Sequence, residues 1–374
     1  MPAAPRGQIL VHVFGRTDVG LTREHNEDTF LVADLSTGNA TLQPEVRTHS
    51  LGERGSVFMV ADGMGGAASG EIASAMAVDT VLEELKRRWI TVAAADPQTF
   101  AVALRMATEA ANSAIHRYSS EHPENRGMGT TATLAGMLGD VLYIAQVGDS
   151  RAYIVRDGVC RQITKDQSLM QKLLEAGEIT AEEAEQSDRK NIILQALGPE
   201  PRIRIDLTHQ QVRRGDTLIL CSDGLSGQVR PEQIGQVVRE ESDLMAVCRR
   251  LIELANEAGG PDNITVVAVR FEGPGLLPPG NGDDVGHRVY PLAGSETPTI
   301  PMERYEDRPE TPTEPRPRLV DSAPTRAATL RGRLLLLGIA AVLLLLLGAL
   351  VTRPMWRGSD PVSDTAPRDA APPQ

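Results

Sequence analysis

Hydrophobic residues in the first 272 positions form short runs rich in Val, Ile and Leu, and turn residues separate these runs. Such runs, when bounded by Gly, Asp, Asn or Pro, are typical of β-strands. The predicted strands cover residues 9–14, 29–33, 57–61, 132–138, 141–147, 152–156, 203–207, 217–221 and 264–271. So many strands exclude an all-helical protein.

Two longer segments carry apolar residues at the three- and four-residue spacing of an amphipathic helix. They cover residues 70–88 and 98–118, and each presents one apolar stripe to a core. We predict further helices over residues 167–176, 231–239 and 243–258.

Tight turns join several of the predicted strands. Gly139-Asp140 separates two strands, and Asp157-Gly158 follows another. Turns this short connect antiparallel neighbours, because parallel strands need a longer crossover. We therefore predict an α+β fold, a four-layer αββα sandwich in which two packed antiparallel sheets are flanked by helices.

The composition of the chain changes after about residue 272. Residues 1–272 read as one globular domain, whereas residues 273–333 are rich in Pro and Gly, which predicts a disordered linker. Residues 334–351 are all apolar and uncharged, so they predict one transmembrane helix. Residues 352–374 would form a short polar tail beyond it.

Charges around the predicted span indicate its orientation. Three arginines, at positions 326, 331 and 333, precede the span, and two, at positions 353 and 357, follow it. This weak excess favours a cytoplasmic location for the N-terminal side. The first residues also lack the basic and apolar regions of a signal peptide. We expect a single-pass protein of the cell membrane with its globular domain in the cytoplasm.

A small repeat of threonine and proline lies within the predicted linker, in Glu296-Thr297-Pro298-Thr299 and Glu310-Thr311-Pro312-Thr313. Two interpretations stay open. The repeat is a low-complexity spacer, or its threonines are phosphorylated and bind a domain that reads phosphothreonine.

Charge and cysteine content exclude two classes of function. The formal net charge of -12 at pH 7 argues against a nucleic-acid partner, which needs clustered positive charge. Three cysteines without paired spacing predict neither a disulfide framework nor a thiolate metal site.

Acidic residues beside glycine follow or flank several of the hydrophobic runs. Asp62 follows the apolar run 57–61, and Asp223 follows 218–221 in the same way. Strand ends of this kind deliver carboxylate oxygens, which Mg²⁺ and Mn²⁺ prefer, and a neighbouring Gly lets its carbonyl approach the ion. The seven histidines show no spacing typical of a zinc site. Two such cations together favour hydrolysis of a phosphate monoester.

The order and spacing of these phrases resemble the metal-dependent type 2C protein phosphatases, in their bacterial serine/threonine branch. The resemblance covers residues 9–271. The matching phrases are Arg23 with Asn26-Glu27-Asp28, Ala61-Asp62-Gly63-Met64-Gly65-Gly66, Met128-Gly129-Thr130-Thr131, Gly148-Asp149-Ser150-Arg151, Gln195-Ala196-Leu197-Gly198, Ser222-Asp223-Gly224 and Gly260-Pro261-Asp262-Asn263.

The resemblance implies a role for each matched carboxylate. Asp62 corresponds to the ligand that bridges two Mn²⁺ or Mg²⁺ ions, and Gly63 lends its carbonyl to one of them. Glu27 corresponds to a ligand of the first ion, and Asp223 and Asp262 to ligands of the second. The remaining roles are those of Asp28, which acts mainly through bound water, and of Asp149, which with Asp223 holds a weaker third ion.

Arg23 matches the arginine that holds the substrate phosphate in this family, since a guanidinium engages two phosphate oxygens. The implied reaction is attack of a metal-bridging hydroxide on phosphoserine or phosphothreonine, without a phosphoenzyme. The implied biological role opposes bacterial serine/threonine kinases, receptor-type kinases among them. The alternative is a catalytically silent phosphoprotein-binding module on the membrane. The complete ligand set favours the enzyme.

Some positions depart from the family pattern or stay outside the implied chemistry. Met64 stands where animal relatives have a histidine, and Gln167 where many bacterial relatives have one. Residues 169–190 match the mobile flap in which relatives differ in substrate choice. The loop 35–55 looks long, and we expect its His49 to be exposed. Cys221 lacks the C-x5-R phosphate cradle, so we predict a buried core thiol.

Overall fold

Two antiparallel β-sheets form the centre of the structure. The computed structural model describes residues 7–41, 45, 47–66, 69–187, 189, 191–280 and 283–292. The strands are β1 (Leu10–Asp18), β2 (Asp28–Asp34), β3 (Asn39–Thr41), β4 (Arg47–Ser50), β5 (Ser56–Met64), β6 (Gly129–Thr130), β7 (Ala132–Leu138), β8 (Val141–Val147), β9 (Arg151–Arg156), β10 (Val159–Gln162), β11 (Asp206–Gln211), β12 (Thr217–Cys221) and β13 (Ile264–Glu272).

Helices of very different length accompany the strands. They are α1 (Ser69–Leu85), α2 (Pro97–Glu121), α3 (Leu169–Glu175), α4 (Ala181–Gln186), α5 (Asp223–Ser226), α6 (Pro231–Glu240) and α7 (Leu244–Glu257). A π-helical turn, Lys86–Ile90, extends α1, and a 3-10 turn, Pro123–Asn125, follows α2. Asp96 caps the start of α2 by accepting from the backbone N–H of Thr99, and Pro97 occupies its first turn.

The strands form one six-stranded and one seven-stranded sheet. The first has the order β10-β9-β12-β13-β1-β4, and the second has the order β11-β8-β7-β5-β2-β3, with β6 paired to β5. Short turns at Gly139 and at Asp157-Gly158, all with positive φ, join β7 to β8 and β9 to β10 as antiparallel hairpins. The predicted antiparallel sheets are confirmed.

Three hydrophobic cores separate four layers. One lies between the seven-stranded sheet and the pair α1 and α2, and Trp89 and Phe100 are fully buried in it. A second, with Phe30 and Phe58, fills the space between the sheets. The third packs α6 and α7 on the six-stranded sheet. The layer order is therefore the predicted helix, sheet, sheet, helix.

The segment after β13 departs from the prediction of a disordered linker that starts at residue 273. We call residues 273–280 and 283–292 the C-terminal arm. Leu276 is buried in the core between the sheets, and Tyr290 packs against the core of α1 and α2. The backbone N–H of Tyr290 donates to Leu207 in β11 over 2.9 Å. The arm therefore belongs to the folded domain.

Arginine residues hold the middle of the C-terminal arm. Arg213 binds both carboxylate oxygens of Asp283, over 2.6 and 2.8 Å. Arg156 forms a buried ion pair with Asp216 and also donates to the carbonyl of Asp283 over 3.1 Å. These contacts explain why a Pro- and Gly-rich segment is ordered, which composition does not reveal.

The membrane prediction concerns a different part of the chain. In residues 7–292, apart from the gaps stated above, none of the helices has both the length and the apolarity needed to span a bilayer. The predicted span 334–351, the tail 352–374 and the rest of the predicted linker lie outside the described residues.

Three local predictions were wrong. The strand expected at 203–207 occupies Asp206–Gln211 instead, because the apolar Ile203 and Ile205 pack against the core of α1 and α2 from a loop. The segment 35–55 contains the short strands β3 and β4. His49 in β4 is half-buried and hydrogen-bonds Ser56 Oγ over 2.7 Å, and burial lowers its pKa.

Candidate metal centre

Asp28 and Asp62 form a directly opposed pair where β2 and β5 meet. Asp28 begins β2, is buried, and accepts a hydrogen bond from Ser222 Oγ over 2.7 Å. Thr131 holds the backbone of Asp62 from both sides: its Oγ1 accepts from the Asp62 N–H over 3.0 Å, and its own N–H donates to the Asp62 carbonyl over 2.9 Å. The carboxylates therefore stand on rigid backbone.

Two glycines, Gly63 and Gly70, let Glu27 lie close to Asp28 and Asp62. The Gly63 N–H donates to the Glu27 carbonyl over 3.1 Å. A Cβ on Gly63 would lie 2.2 Å from the carbonyl oxygen of Gly70, and a Cβ on Gly70 would lie 2.7 Å from Glu27 Oε1. Both positions thus exclude a side chain. The glycine after Asp62 consequently has a packing reason as well as the ligand role implied above.

Asn263 connects the loop that carries Arg23 and Glu27 to the start of β13. Its Oδ1 accepts from the Glu27 N–H over 2.8 Å, and its Nδ2 donates to the carbonyls of Val19 and His25, each over 2.9 Å. The Asn263 side chain is buried. One amide thereby fixes both ends of this loop beside Asp262.

Asp223 and Asp262 approach from the other sheet. Asp223 begins α5 directly after β12, and Asp262 precedes β13. Gly224 touches the chain beside Asp262, since a Cβ there would lie 2.0 Å from the carbonyl oxygen of Asn263. Neighbouring strands of the six-stranded sheet therefore deliver these two carboxylates.

Asp149 lies in the turn between β8 and β9. Gln167 braces this turn: its Oε1 accepts from the Gly148 N–H over 3.0 Å, and its own N–H donates to the Gly148 carbonyl over 2.9 Å. Arg151 binds Asp166 with two donors, the shorter at 2.6 Å. The glutamine that departs from the family pattern is thus a structural support for the turn.

Arg23 stands at the entrance of the site. Its Nη2 binds Asp262 Oδ2 over 2.8 Å, and its Nη1 lies 4.0 Å from Glu27 Oε2. The Arg23 side chain is 48% exposed, so it can meet a molecule from solvent. The predicted phosphate-binding residue is therefore beside the predicted ligands.

Burial and the nearness of other carboxylates raise the pKa values of the acidic residues in this site. Burial, then the charges of Asp28 and Asp223, raises the pKa of Asp62. Burial, with a contribution from Asp223, raises the pKa of Asp28 to about 7 and that of Asp149 to about 7. The pKa of Asp223 is raised by burial and then by Asp262. These groups need cations near them to be ionised together.

In the part of the chain that the structure describes, three buried carboxylate oxygens lack a hydrogen-bond partner, namely Glu27 Oε1, Asp28 Oδ1 and Asp149 Oδ1. Buried oxygens of this kind are normally paired, and hard divalent cations bind them. Within the described residues, no three Asp, Glu, His or Cys side chains stand in an arrangement that could hold an ion as it is. The chemistry of the donors, all oxygen atoms, fits Mg²⁺ or Mn²⁺.

A cavity of about 700 Å³ opens beside these residues. Arg23, Asp149, Asp223 and Asp262 line one part of it, and residues of α3 and α4 line another. Cys221 lies outside this lining; it is fully buried, and burial raises its pKa to about 12. The prediction of a core thiol is confirmed.

Sequence reasoning missed several residues that position the ligands. The sequence shows Asn263, Ser222 and Thr131 only as members of the matching motifs. In the structure, Asn263 hydrogen-bonds the loop that carries Glu27, Ser222 hydrogen-bonds Asp28, and Thr131 hydrogen-bonds Asp62, so each joins distant segments of the chain. Ser222 and Asn263 each stand next to a predicted ligand, which was the available signal, whereas Thr131 does not. Asn263 is the clearest case, because it follows Asp262 directly.

Comparison with known proteins identifies the family of this chain. The family model described as protein phosphatase 2C matches residues 40–265. The chain belongs to the protein phosphatase 2C family. It is 37% identical over 259 residues to the serine/threonine phosphatase stp of Listeria monocytogenes, a match that covers 69% of this chain and 95% of the relative. As a protein phosphatase 2C, the chain is a phosphatase.

Solved structures of this family have the same fold. The S. agalactiae serine/threonine phosphatase aligns with a TM-score of 0.61 at 32% sequence identity, and the alignment covers 70% of this chain and 99% of that one. The catalytic domain of the phosphatase PstP in complex with two manganese ions aligns with a TM-score of 0.57 at 35% identity, over 71% and 99%. The expected family and its metal dependence are thereby confirmed.

Proposed function

We propose that this phosphatase hydrolyses phosphoserine and phosphothreonine in proteins with the help of two divalent cations, Mn²⁺ or Mg²⁺. The observation that carries the proposal is the group of unpartnered, buried oxygens of Glu27, Asp28 and Asp149 next to an accessible arginine. The serine/threonine phosphatases to which the chain is similar support this choice of substrate.

The carboxylates that would hold the two cations are Glu27, Asp62, Asp223 and Asp262, with the carbonyl of Gly63. Asp28 would support them from β2, and Asp149 with Asp223 would hold a weaker third ion. Bound cations would neutralise phosphate charge and activate water at neutral pH.

The chain itself orients the substrate. Arg23 presents its guanidinium at the cavity, and Asp262 fixes the direction of that group, so two phosphate oxygens can be bound at once. Met64 carries no transferable proton, so protonation of the departing serine or threonine oxygen does not come from this position. Asn263 keeps Arg23 and Glu27 in register by binding both ends of their loop.

The cellular setting is part of the same proposal. The apolar segment 334–351 would anchor the enzyme in the cell membrane with its catalytic domain in the cytoplasm. Membrane-bound, receptor-type serine/threonine kinases and their substrates would then be within reach. Phosphorylated threonines of the repeat around Thr297 and Thr311 would recruit a phosphothreonine-reading domain.

Hydrolysis of a phosphothreonine peptide by the full chain, with and without Mn²⁺, tests the catalytic proposal. We expect turnover that requires the cation and falls at least about 100-fold in Asp223→Asn. Turnover without cations, or an unaffected variant, would refute the site. For the anchor, deletion of residues 331–374 should slow hydrolysis of a membrane-bound substrate only, and equal effects on membrane-bound and soluble substrates would refute the tether.

A further inference from the structure

The cavity beside the carboxylates is larger than a phosphate group requires. Its volume of about 700 Å³ lies within the range of pockets that bury whole small ligands. Asp149, Asp223, Asp262 and Arg23 line one part, whereas residues of α3, of α4 and of the segment 226–230 line another. The second part takes no role in the hydrolysis derived above.

The floor of this second part is apolar. Met170 from α3 and Val229 from the segment after α5 line the cavity although they are only 7% and 2% exposed. Leu174 and Ala184 add to the same lining. Met170 and Leu174 are four residues apart, so they lie on one face of α3. We call these four residues the apolar floor.

Two charged residues of α3 and α4, Glu175 and Glu183, have hydrogen-bond partners of their own. Glu175 binds Lys165 over 3.0 Å and accepts from Gln171 over 3.1 Å, and neither Lys165 nor Glu175 lines the cavity. Glu183 forms a capping box with Thr180 at the start of α4. Among the residues whose side chains the structure describes, those of α3 and α4 that line the cavity are uncharged, namely Met170, Gln171, Leu174, Ala181 and Ala184.

We propose that the apolar floor binds an apolar side chain of the phosphoprotein, close in sequence to the phosphorylated residue. This inference rests on the proposed function, because it assigns the floor to the same substrate. The floor and Arg23 line one continuous cavity, so a polypeptide whose phosphate reaches Arg23 can place a neighbouring side chain on Met170 and Leu174. Removing an apolar side chain from water onto such a floor favours binding.

A leucine scan of a phosphothreonine peptide tests the proposal. Leucine is placed singly at each of the three positions before and after phosphothreonine in an otherwise Gly- and Ser-based peptide, and kcat/KM is measured with the full chain and Mn²⁺. We expect one position at which leucine raises kcat/KM about tenfold or more over serine. The ratio for that pair of peptides should fall towards one in Met170→Gln and in Leu174→Gln.

Met245→Gln is the matched control, because Met245 is 44% exposed on α7 and does not line the cavity. It should keep the wild-type ratio. Leu174 is less buried than Met170, so Leu174→Gln decides the test if Met170→Gln does not fold. Equal rates for all leucine positions, or an unchanged ratio in Leu174→Gln, would overturn the assignment of the floor. Absence of hydrolysis of every peptide would instead overturn the proposed function.

Discussion

Asp28 and Asp62 face each other across the antiparallel strands β2 and β5, in the register of a directly opposed pair. Like charges in this arrangement repel, and burial strengthens the repulsion. The fold nevertheless keeps both residues, and Ser222 and Thr131 hold them in place. We therefore expect the pair to destabilise the metal-free chain.

Replacing Asp62 by Asn should raise the stability of the metal-free chain and lower its phosphatase activity. Without divalent cations at pH 8 we expect the melting temperature to rise by about 2–4 °C, which corresponds to about 1 kcal/mol, because an amide avoids the unfavourable burial of a carboxylate beside Asp28. Phosphatase activity should fall at least about 100-fold. Thermal unfolding in EDTA and in Mn²⁺, together with a phosphopeptide assay, measures both.

Asp34→Asn is the control for this substitution. Asp34 is also buried at the end of β2, but it binds the N–H of Ser36 and the hydroxyl of Thr37 in a turn. Its replacement should not raise the melting temperature. A destabilised Asp62→Asn chain in EDTA would contradict the electrostatic explanation.

The stability of the metal-free chain should depend on pH through Asp28 and Asp149. Their pKa values, each raised to about 7, lie above the ordinary value of 3.8 for an aspartate, so the folded chain binds protons more tightly than the unfolded chain. The free energy of unfolding should therefore decrease as pH rises from about 5 to about 8. Urea unfolding in EDTA across this range measures it.

Mn²⁺ should change that profile, because cation ligands must be deprotonated. We expect the stabilisation by Mn²⁺ to be larger at pH 8 than at pH 5.5. Asp28→Asn in EDTA should show a weaker decrease between these pH values than the unmodified chain. A metal-free chain whose stability rises towards pH 8 would show that other groups dominate.

Asn263→Ala should weaken the site without removing a ligand. The substitution deletes the hydrogen bonds to Glu27, Val19 and His25. The loop that carries Arg23 and Glu27 is then no longer held in place beside Asp262. We expect the Mn²⁺ concentration for half-maximal activity to rise about 10- to 100-fold, as for other residues that orient metal ligands. A titration of activity with Mn²⁺ gives this number.

Asn112→Ala provides a comparison for Asn263→Ala. Asn112 is a buried amide of α2 that binds the Gly198 N–H and the Glu200 carbonyl, away from the ligands. We expect it to lower stability while the Mn²⁺ titration stays unchanged. If both variants shift the titration equally, Asn263 has only a general structural role.

Neighbouring leucines in the C-terminal arm provide a matched test of its packing. Leu276 is 1% exposed and Leu277 is 58% exposed. Leu276→Ala should lower the free energy of unfolding by about 2–4 kcal/mol, since it leaves a cavity between the sheets. Leu277→Ala should change it by less than about 0.5 kcal/mol. Equal effects in urea unfolding would show that the arm does not pack on the domain in solution.

Local patterns predicted most of the layers and the strand ends that carry Asp62 and Asp223. Two apolar runs, one before Asp62 and one before Asp223, could be recognised in the sequence. A buried strand needs continuous apolar residues, whereas polar residues are allowed where the strand ends. The helix predicted over 98–118 is observed as α2, which is one residue longer at its start and three residues longer at its end. Periodicity is a property of neighbouring residues, so it survives without tertiary information.

Tertiary contacts decided the features that were missed. Residues 273–292 looked too polar to fold, yet Arg156 and Arg213, far away in the chain, bind Asp283. Ile203 looked like a strand residue, yet it packs against a core from a loop. The support of Asp28 by Ser222 joins residues 194 positions apart, which local pattern does not contain.

The pairing of β1 with β13 has a consequence for biosynthesis. Val13 lies opposite Val269, so the six-stranded sheet remains open until the ribosome has released nearly the whole catalytic domain. Asp262 and Asn263 precede β13 and arrive equally late, whereas Arg23 and Glu27 emerge among the first residues. Contacts this distant in sequence form slowly. We therefore expect that a nascent chain cannot hydrolyse phosphoproteins until β13 has paired with β1.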